Sequence, residues 1–168
     1  MKHSQKISFF TPNDSFIIEI SMYLKDKRIL EVFAGNGLLA SLLAEKGVFV
    51  NATSLLSGHD GHQEGMHYDV ALMDARKAVQ VYGDDSDVLL VSWPVADKSI
   101  LPAMNLWGSH KPIVYIGEAP NLDLPGLSGL PGCACDEFFE RISWEREFTS
   151  YKPKNMLEKA GVVLFNSD

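Results

Sequence analysis

Apolar runs of strand length alternate along this chain with apolar residues at helical spacing. The spacing first predicts a helix from Asn13 to about Lys25. Apolar or β-prone runs then predict strands at residues 29–33, 48–52, 69–73, 88–91, 113–116, 144–151 and 161–165. Helices are predicted over residues 38–46, 75–81, 100–107 and 136–142. This alternation indicates an α/β fold: a doubly wound, mostly parallel seven-stranded sheet with helices on both faces and a C-terminal antiparallel hairpin.

Two stretches carry no such periodicity and are predicted to be loops. Residues 57–68 are rich in glycine and histidine, and residues 119–135 are rich in glycine and proline. No internal repeat or interdomain linker interrupts the pattern. A chain of 168 residues suits one domain, so we expect residues 1–168 to fold as a single unit with a substantial core.

The most informative stretch is residues 28–44. An apolar strand that carries one acid, Glu31, breaks at Gly35-Asn36-Gly37, and apolar residues at helical spacing resume from Leu38. A buried strand, a glycine turn and a helix start allow the backbone to close on a nucleotide-like ligand. A Cβ at either glycine would obstruct the tight turn or the approaching ligand. We therefore expect a small-molecule site here.

Charge and hydropathy narrow the choice of partners. The net charge is −7, and the 15 basic residues are scattered, whereas a nucleic acid requires a concentrated basic stripe. Nucleic acid is therefore disfavoured as a partner. No apolar run approaches the roughly 20 residues of a membrane span, and no long apolar signal core follows the basic N-terminus. We expect a cytoplasmic protein with no membrane partner, and the oligomeric state stays open.

The glycine turn carries a family resemblance. The pattern Glu31-x-Phe33-x-Gly35-x-Gly37 resembles the (Asp/Glu)-x-Phe-x-Gly-x-Gly motif of the class I S-adenosylmethionine-dependent methyltransferases, and the order of elements is similar to theirs from about residue 16 to residue 165. The resemblance implies a Rossmann-like methyltransferase fold with S-adenosylmethionine as the cofactor. Glu31 would accept hydrogen bonds from the cofactor's ammonium group, and the turn formed by Ala34, Gly35, Asn36 and Gly37 would pass beneath its methionine portion.

The sequence departs from the family after the second strand. The family usually has an acid there to hold the ribose hydroxyls, but residues 52–55 contain none, and Ser54 is the neutral substitute. After the third strand, Asp74-Ala75 fits the place where the family commonly has an acid near the adenine amino group. An aspartate at a strand end is also a common helix cap, so both interpretations of Asp74 stay open.

The end of the fourth strand is the candidate place for chemistry. Amino-directed members of the family often carry (Asp/Asn/Ser)-Pro-Pro-(Tyr/Phe/Trp) there, and this chain has Ser92-Trp93-Pro94 followed by Val95. Half of the motif is present, so the candidate catalytic residues are Ser92, Trp93 and Pro94. A half-matched motif does not establish N-methylation. Glu118, after the fifth strand, reaches the same sheet edge and could act on a substrate amine.

Two other ligand classes rank lower. Gly35-x-Gly37-x-x-Ala40 also satisfies the dinucleotide pattern, but the acid expected about 20 residues further on for a nicotinamide cofactor is missing. No metal site is predicted, because the spacing of His59, His62 and His67 with Asp60 matches no zinc pattern.

Cys133 and Cys135 are expected to be reduced thiols, since a disulfide between them would close a strained loop.

The sequence thus predicts an S-adenosylmethionine-dependent methyltransferase that acts on a small or peptide-like acceptor. The first alternative is a catalytically inactive relative that keeps the scaffold as a binding or interaction module. The missing ribose acid and the incomplete motif at Ser92 motivate that alternative. A nicotinamide-dependent oxidoreductase is the second alternative.

Overall fold

The computed structural model describes residues 10–55, 65–120 and 132–167, and within these ranges it has seven strands and five helices. The strands are β1 (Ile29–Val32), β2 (Val50–Ser54), β3 (Val70–Leu72), β4 (Val88–Ser92), β5 (Ile113–Glu118), β6 (Ile142–Glu147) and β7 (Glu158–Phe165). The helices are α1 (Asp14–Leu24), α2 (Leu38–Glu45), α3 (Ala75–Tyr82), α4 (Ile100–Trp107) and α5 (Asp136–Glu140).

One sheet with the strand order β3-β2-β1-β4-β5-β7-β6 joins all seven strands. Strands β1 to β5 pair in parallel, and β7 pairs antiparallel with both β5 and β6. The strand order reverses beside β1, so the carboxyl ends of β1 and β4 flank the crevice in which open α/β sheets bind their ligands. The predicted fold class is confirmed.

The sheet buries a hydrophobic core on each face. Leu30, Val32, Leu89 and Val91 point toward α3, α4 and α5, whereas alternate residues such as Leu90 pack against α1 and α2. Every residue of β1 and β4 is buried, which is typical of parallel strands covered on both faces. We call the side of the sheet that α1 and α2 cover the α1/α2 face.

Several predicted element limits are wrong by a few residues. β2 extends to Ser54 instead of ending at residue 52, and α5 ends at Glu140 instead of residue 142. The last strands are β6 at 142–147 and β7 at 158–165, against predictions of 144–151 and 161–165. Gly161 lies inside β7 in register with Glu147, next to the β-bulge of β6 between Trp144 and Arg146, and a Cβ there would collide with the carbonyl oxygen of Arg146.

In the part of the chain that the structure describes, no helix has the length and apolar character required to cross a membrane.

Candidate functional site

Polar side chains collect at the carboxyl ends of the parallel strands on the α1/α2 face. Glu31 on β1 is in register with Leu90 on β4 and with Ala52 on β2. Because alternate residues of a strand share a face, Ser54 and Ser92 lie on the same side of the sheet as Glu31. The register thus gathers predicted site residues from β1, β2 and β4 at one edge.

Glu31 is an unpartnered acid inside the protein. Its exposed fraction is 1%, and both carboxyl oxygens lack a hydrogen-bond partner among the described residues. Burial raises the pKa of Glu31 from its ordinary 4.5 to about 8. Buried carboxylates are nearly always paired or hydrogen-bonded, because an isolated buried charge is costly. A cationic group that reached Glu31 would remove this cost.

The turn after β1 has the left-handed backbone that the glycines suggested. The φ angles are 59° at Phe33, 56° at Gly35 and 78° at Gly37. The Gly37 amide donates to the Ala34 carbonyl oxygen at 2.9 Å, which closes the turn directly before α2. Phe33 packs toward the opposite face from Glu31, and residues 33–36 are half-buried.

Gly37 has a packing role that the sequence did not reveal. A Cβ there would lie 2.6 Å from Cβ of Tyr68 and 2.9 Å from Cγ2 of Val70. The neighbouring Asn36 carbonyl oxygen accepts a hydrogen bond of 2.8 Å from the amide of His67. The segment before β3 therefore occupies the side of the turn where Gly37 lies, and the accessible part of the turn is residues 33–36.

The predicted ribose and adenine residues lie on β2 and α3. Ser54 is buried at the end of β2, and its neighbour Thr53 donates its hydroxyl to the Glu31 carbonyl oxygen at 2.9 Å. Asp74 caps α3 by accepting a hydrogen bond of 2.8 Å from the Lys77 amide, so it performs the structural role weighed above. Ala75, the first residue of α3, packs in the hydrophobic core. Their contacts with a cofactor remain predictions.

Ser92, Trp93 and Pro94 lie at the carboxyl end of β4, beside the turn after β1. Ser92 and Pro94 are buried, and the Trp93 amide donates to the Ile116 carbonyl oxygen at 2.7 Å. Trp93 has a φ of 50°, a left-handed conformation that non-glycine residues rarely adopt outside functional sites. Its indole Nε1 is buried and donates to no acceptor in the described ranges. Like Glu31, Trp93 presents an unsatisfied polar group at this edge.

A cluster of acidic and aromatic side chains around Trp93 and Glu118 escaped the sequence analysis, which had noted only these two of its members. Glu118 and Glu158 are register partners across β5 and β7. The Asn155 amide lies 3.1 Å from Oε1 of Glu118 and 3.4 Å from Oε1 of Glu158. The Tyr151 hydroxyl donates to Oε2 of Glu158 at 3.0 Å. No local signal marks these residues, because the fold alone brings β7 beside β5.

Phe10 joins this cluster to Trp93. The Phe10 ring lies 6.3 Å from the Trp93 ring and 6.5 Å from the Tyr151 ring, measured between ring centroids. Burial, followed by the hydrogen bond to Glu158, raises the pKa of Tyr151, so the phenol keeps its proton and acts as a donor. We call Phe10, Trp93, Glu118, Tyr151, Asn155 and Glu158 the acidic-aromatic cluster.

A cavity of about 550 Å³ opens elsewhere on the sheet. Its lining includes Lys27, Arg28 and Phe49, which precede β1 and β2, so it lies chiefly toward the amino ends of these strands. Both cations are engaged: Lys27 donates to the Tyr23 carbonyl oxygen, and Arg28 forms a 2.8 Å ion pair with Asp87. Since ligands of open α/β sheets bind at the carboxyl ends, we do not place the cofactor there.

Cys133 and Cys135 form no disulfide in the structure, and the histidine cluster lies mostly beyond the described residues. Cys133 and Cys135 are free, and burial raises the pKa of the Cys133 thiol to about 11. His59, Asp60 and His62 lie outside the described residues. Within ranges 10–55, 65–120 and 132–167, no group of three or more histidine, cysteine or acidic side chains could hold a metal ion.

Comparison with solved structures agrees with the strand order. A mutant of MtNAS in complex with S-adenosylmethionine superposes with a TM-score of 0.57 and 14% identity over 91% of this chain. An O-methyltransferase family protein from Burkholderia thailandensis gives a TM-score of 0.55 and 9% identity over 91% of this chain. TehB from Haemophilus influenzae gives a TM-score of 0.52 and 11% identity over 96% of this chain.

These similarities define the fold. The chain has the fold of the class I S-adenosylmethionine-dependent methyltransferases, as the motif at Glu31 predicted. It spans only part of the neighbours' lengths: 63% of the MtNAS chain, 56% of the Burkholderia protein and 65% of TehB. No protein-family model and no curated protein matches the sequence.

Proposed function

We propose that this protein binds S-adenosylmethionine at the carboxyl ends of β1, β2 and β4 and transfers its methyl group to a small or peptide-like acceptor. The observation that carries the proposal is the buried, unpartnered carboxyl group of Glu31 directly before a left-handed turn. A cationic amino-acid tail is the ligand chemistry that such a group recognises. The pyrophosphate that a nicotinamide cofactor would bring to the turn is an anion and supplies no positive charge to pair with Glu31.

Each residue has a defined task in this proposal. Glu31 accepts hydrogen bonds from the ammonium group, and residues Phe33 to Gly37 support the methionine portion. Ser54 is the neutral partner of the ribose, and Asp74 with Ala75 borders the adenine. The cofactor supplies an activated methyl group on a sulfonium, so the protein contributes mainly positioning and exclusion of water. Ser92, Trp93 and Pro94 form the edge at which the acceptor enters.

The first experiment is a thermal melt of the purified protein with S-adenosylhomocysteine, S-adenosylmethionine and NAD(P) in parallel. A ligand at about 100 times its dissociation constant adds roughly 2.7 kcal/mol to the free energy of unfolding. For a domain of this size that corresponds to a shift of about 5 to 10 °C. We expect a shift with both adenosyl ligands and none with NAD(P). A shift with NAD(P) alone overturns the proposal.

Proton release provides a sharper test of Glu31. Because the pKa of Glu31 is raised to about 8 by burial, the side chain is mainly protonated at pH 7. An ammonium group bound to it favours the carboxylate, so binding should release close to one proton from Glu31 at that pH. Calorimetric titrations of S-adenosylhomocysteine in buffers with different ionisation enthalpies measure this number.

Two variants make the proton test specific. Glu31→Gln should abolish the proton release and weaken binding, whereas Glu45→Gln, at an exposed glutamate on α2, should change neither. Binding that is equally tight in Glu31→Gln would show that the ammonium group is held elsewhere.

An inactive binding module is the second candidate function. The specific observations in its favour are the absence of an acid at Ser54 and the use of Asp74 as a helix cap. Both observations weaken cofactor binding, so the absence of a shift with all three ligands in the thermal melt supports the module. If the adenosyl ligands do bind, a transfer assay separates the two candidates. Release of S-adenosylhomocysteine from S-adenosylmethionine, stimulated by an added acceptor, supports the enzyme. Tight binding without release in the presence of any tested acceptor supports the module.

A further inference from the structure

The acidic-aromatic cluster contains two acidic side chains on neighbouring strands. Glu118 and Glu158 face each other in register on neighbouring antiparallel strands, and neither forms an ion pair among the described residues. Like charges placed directly opposite one another on a sheet destabilise it. The nearby Lys159 is directed to Glu147 at 3.7 Å instead. The pair therefore lies without a cationic partner among the described residues, at the carboxyl end of β5.

The hydrogen bonds of the cluster hold the carboxylates in place without neutralising them. Asn155 contacts both acids, and the Lys154 backbone amide donates to Oε2 of Glu158 at 2.9 Å. Glu158 is buried, with an exposed fraction of 8%, whereas Glu118 is half-buried and its Oε2 accepts a hydrogen bond from the Gly132 backbone amide. All these donors are neutral groups. A positively charged ligand would be the natural counterpart of the arrangement.

Aromatic rings form the neighbouring wall. Trp93, Phe10 and Tyr151 lie with successive ring centroids 6.3 Å and 6.5 Å apart, and Tyr151 donates to Glu158. Rings of this kind attract cations through their faces and accommodate the apolar body of an organic amine. Independently of the acids, the buried Nε1 of Trp93 has no acceptor among the described residues, so an acceptor atom of a ligand would satisfy it.

We propose that the acidic-aromatic cluster binds the ammonium group of an organic amine that also carries a hydrogen-bond acceptor. Glu118 and Glu158 hold the charge, the three rings hold the apolar body, and the acceptor atom faces Nε1 of Trp93. The role of this amine as the methyl acceptor rests on the proposed function, because the cluster adjoins Ser92 at the same edge as Glu31. The binding of the amine does not depend on it.

The test uses tyramine as the probe and tyrosol, its neutral alcohol counterpart, as the matched ligand without the charge. Both are titrated calorimetrically into the full-length protein, with and without S-adenosylhomocysteine. We expect tyramine to bind roughly 10- to 100-fold more tightly than tyrosol, because hydrogen bonds that involve a charged group contribute more free energy than those between neutral groups. Equal affinity of the two probes, or no binding of either at millimolar concentration, overturns the proposal.

Variants identify the residues responsible. Glu118→Gln and Glu158→Gln should each weaken tyramine binding about tenfold or more, and Trp93→Phe should weaken it by a smaller factor. Glu145→Gln, at an exposed glutamate of β6, is the matched control and should leave the affinity unchanged. Melting curves without ligand check that each variant folds. If the variant of the buried Glu158 does not fold, Glu118→Gln still decides the test. An unchanged affinity of Glu118→Gln for tyramine overturns the proposal.

The two proposals fail in different ways. Binding of S-adenosylhomocysteine without charge-dependent binding of tyramine refutes the amine site and leaves the cofactor proposal intact. Charge-dependent binding of tyramine without any binding of S-adenosylhomocysteine leaves the amine site but removes its role as a methyl acceptor.

Discussion

Ionisation of Glu31 should make the stability of this fold depend on pH in a way that one substitution removes. Burial raises the pKa of Glu31 from 4.5 to about 8, so between these values the folded state binds a proton that the unfolded state has lost. The free energy of unfolding therefore falls as the pH rises from 4.5 to 8. The stability that the protonated acid contributes is fully present below pH 4.5 and lost above pH 8.

The size of the effect follows from the two pKa values. One pKa unit corresponds to about 1.4 kcal/mol, so the loss amounts to about 3 kcal/mol at pH 7 and about 5 kcal/mol above pH 8. Domains typically have only about 5 to 15 kcal/mol of total stability, so this loss is readily measured. Glu31→Gln keeps the shape of the side chain and cannot ionise. The variant should match the native protein near pH 4.5 and exceed its stability by about 5 kcal/mol above pH 8.

The assay is urea unfolding of both proteins at intervals from pH 4.5 to pH 9, with Glu45→Gln as the control. Other titrating groups contribute equally to both proteins, so the difference between the two curves isolates Glu31. Parallel curves would show that the acid is solvated or neutralised in solution. A native protein more stable than Glu31→Gln at pH 8 would show a paired carboxylate and refute the reasoning from burial.

Four further substitutions, at three positions, test the site by stability measurements. Gly37→Ala should cost about 3 kcal/mol or more, because its Cβ would lie 2.6 Å from that of Tyr68 at a left-handed φ; a urea midpoint near the native value would contradict this. Thr53→Val should cost about 1 kcal/mol through loss of the hydroxyl's hydrogen bond to β1, and an unchanged melt would argue against that bond. Asp74→Ala should cost about 1 kcal/mol by removing the cap on Lys77, whereas Asp74→Asn keeps a cap. Weaker S-adenosylhomocysteine binding in Asp74→Asn at unchanged stability would support the adenine contact, and equal binding leaves Asp74 a helix cap only.

The first half of the candidate site was predictable because its signal is local. The acid at Glu31 and the glycines at 35 and 37 are close in sequence, and the structure gives this segment the strand, left-handed turn and helix that were expected. The reason for Gly37 was not predictable in full. Its Cβ position faces Tyr68, which lies far along the chain and contacts the turn only because β3 pairs beside β2.

Limits of the last strands show why local patterns fail near the C-terminus. The sequence predicts that the last strand begins at Gly161. In the structure it is an interior position of β7, where the bulge of β6 leaves no space for a side chain. Only the pairing of two strands creates that requirement.

Periodicity and glycine content along consecutive residues were sufficient for the class of fold, the order of its elements and the position of Glu31. Those properties depend on neighbouring residues, so a linear pattern contains them. Three facts came from the assembled molecule alone: the isolation of the Glu31 carboxyl group, the pairing of Glu118 with Glu158, and the contact of Phe10 with Trp93. Each depends on which distant segments become neighbours when β7 pairs between β5 and β6 and the helices pack on both faces of the sheet. A pattern of consecutive residues contains no information about those long-range contacts.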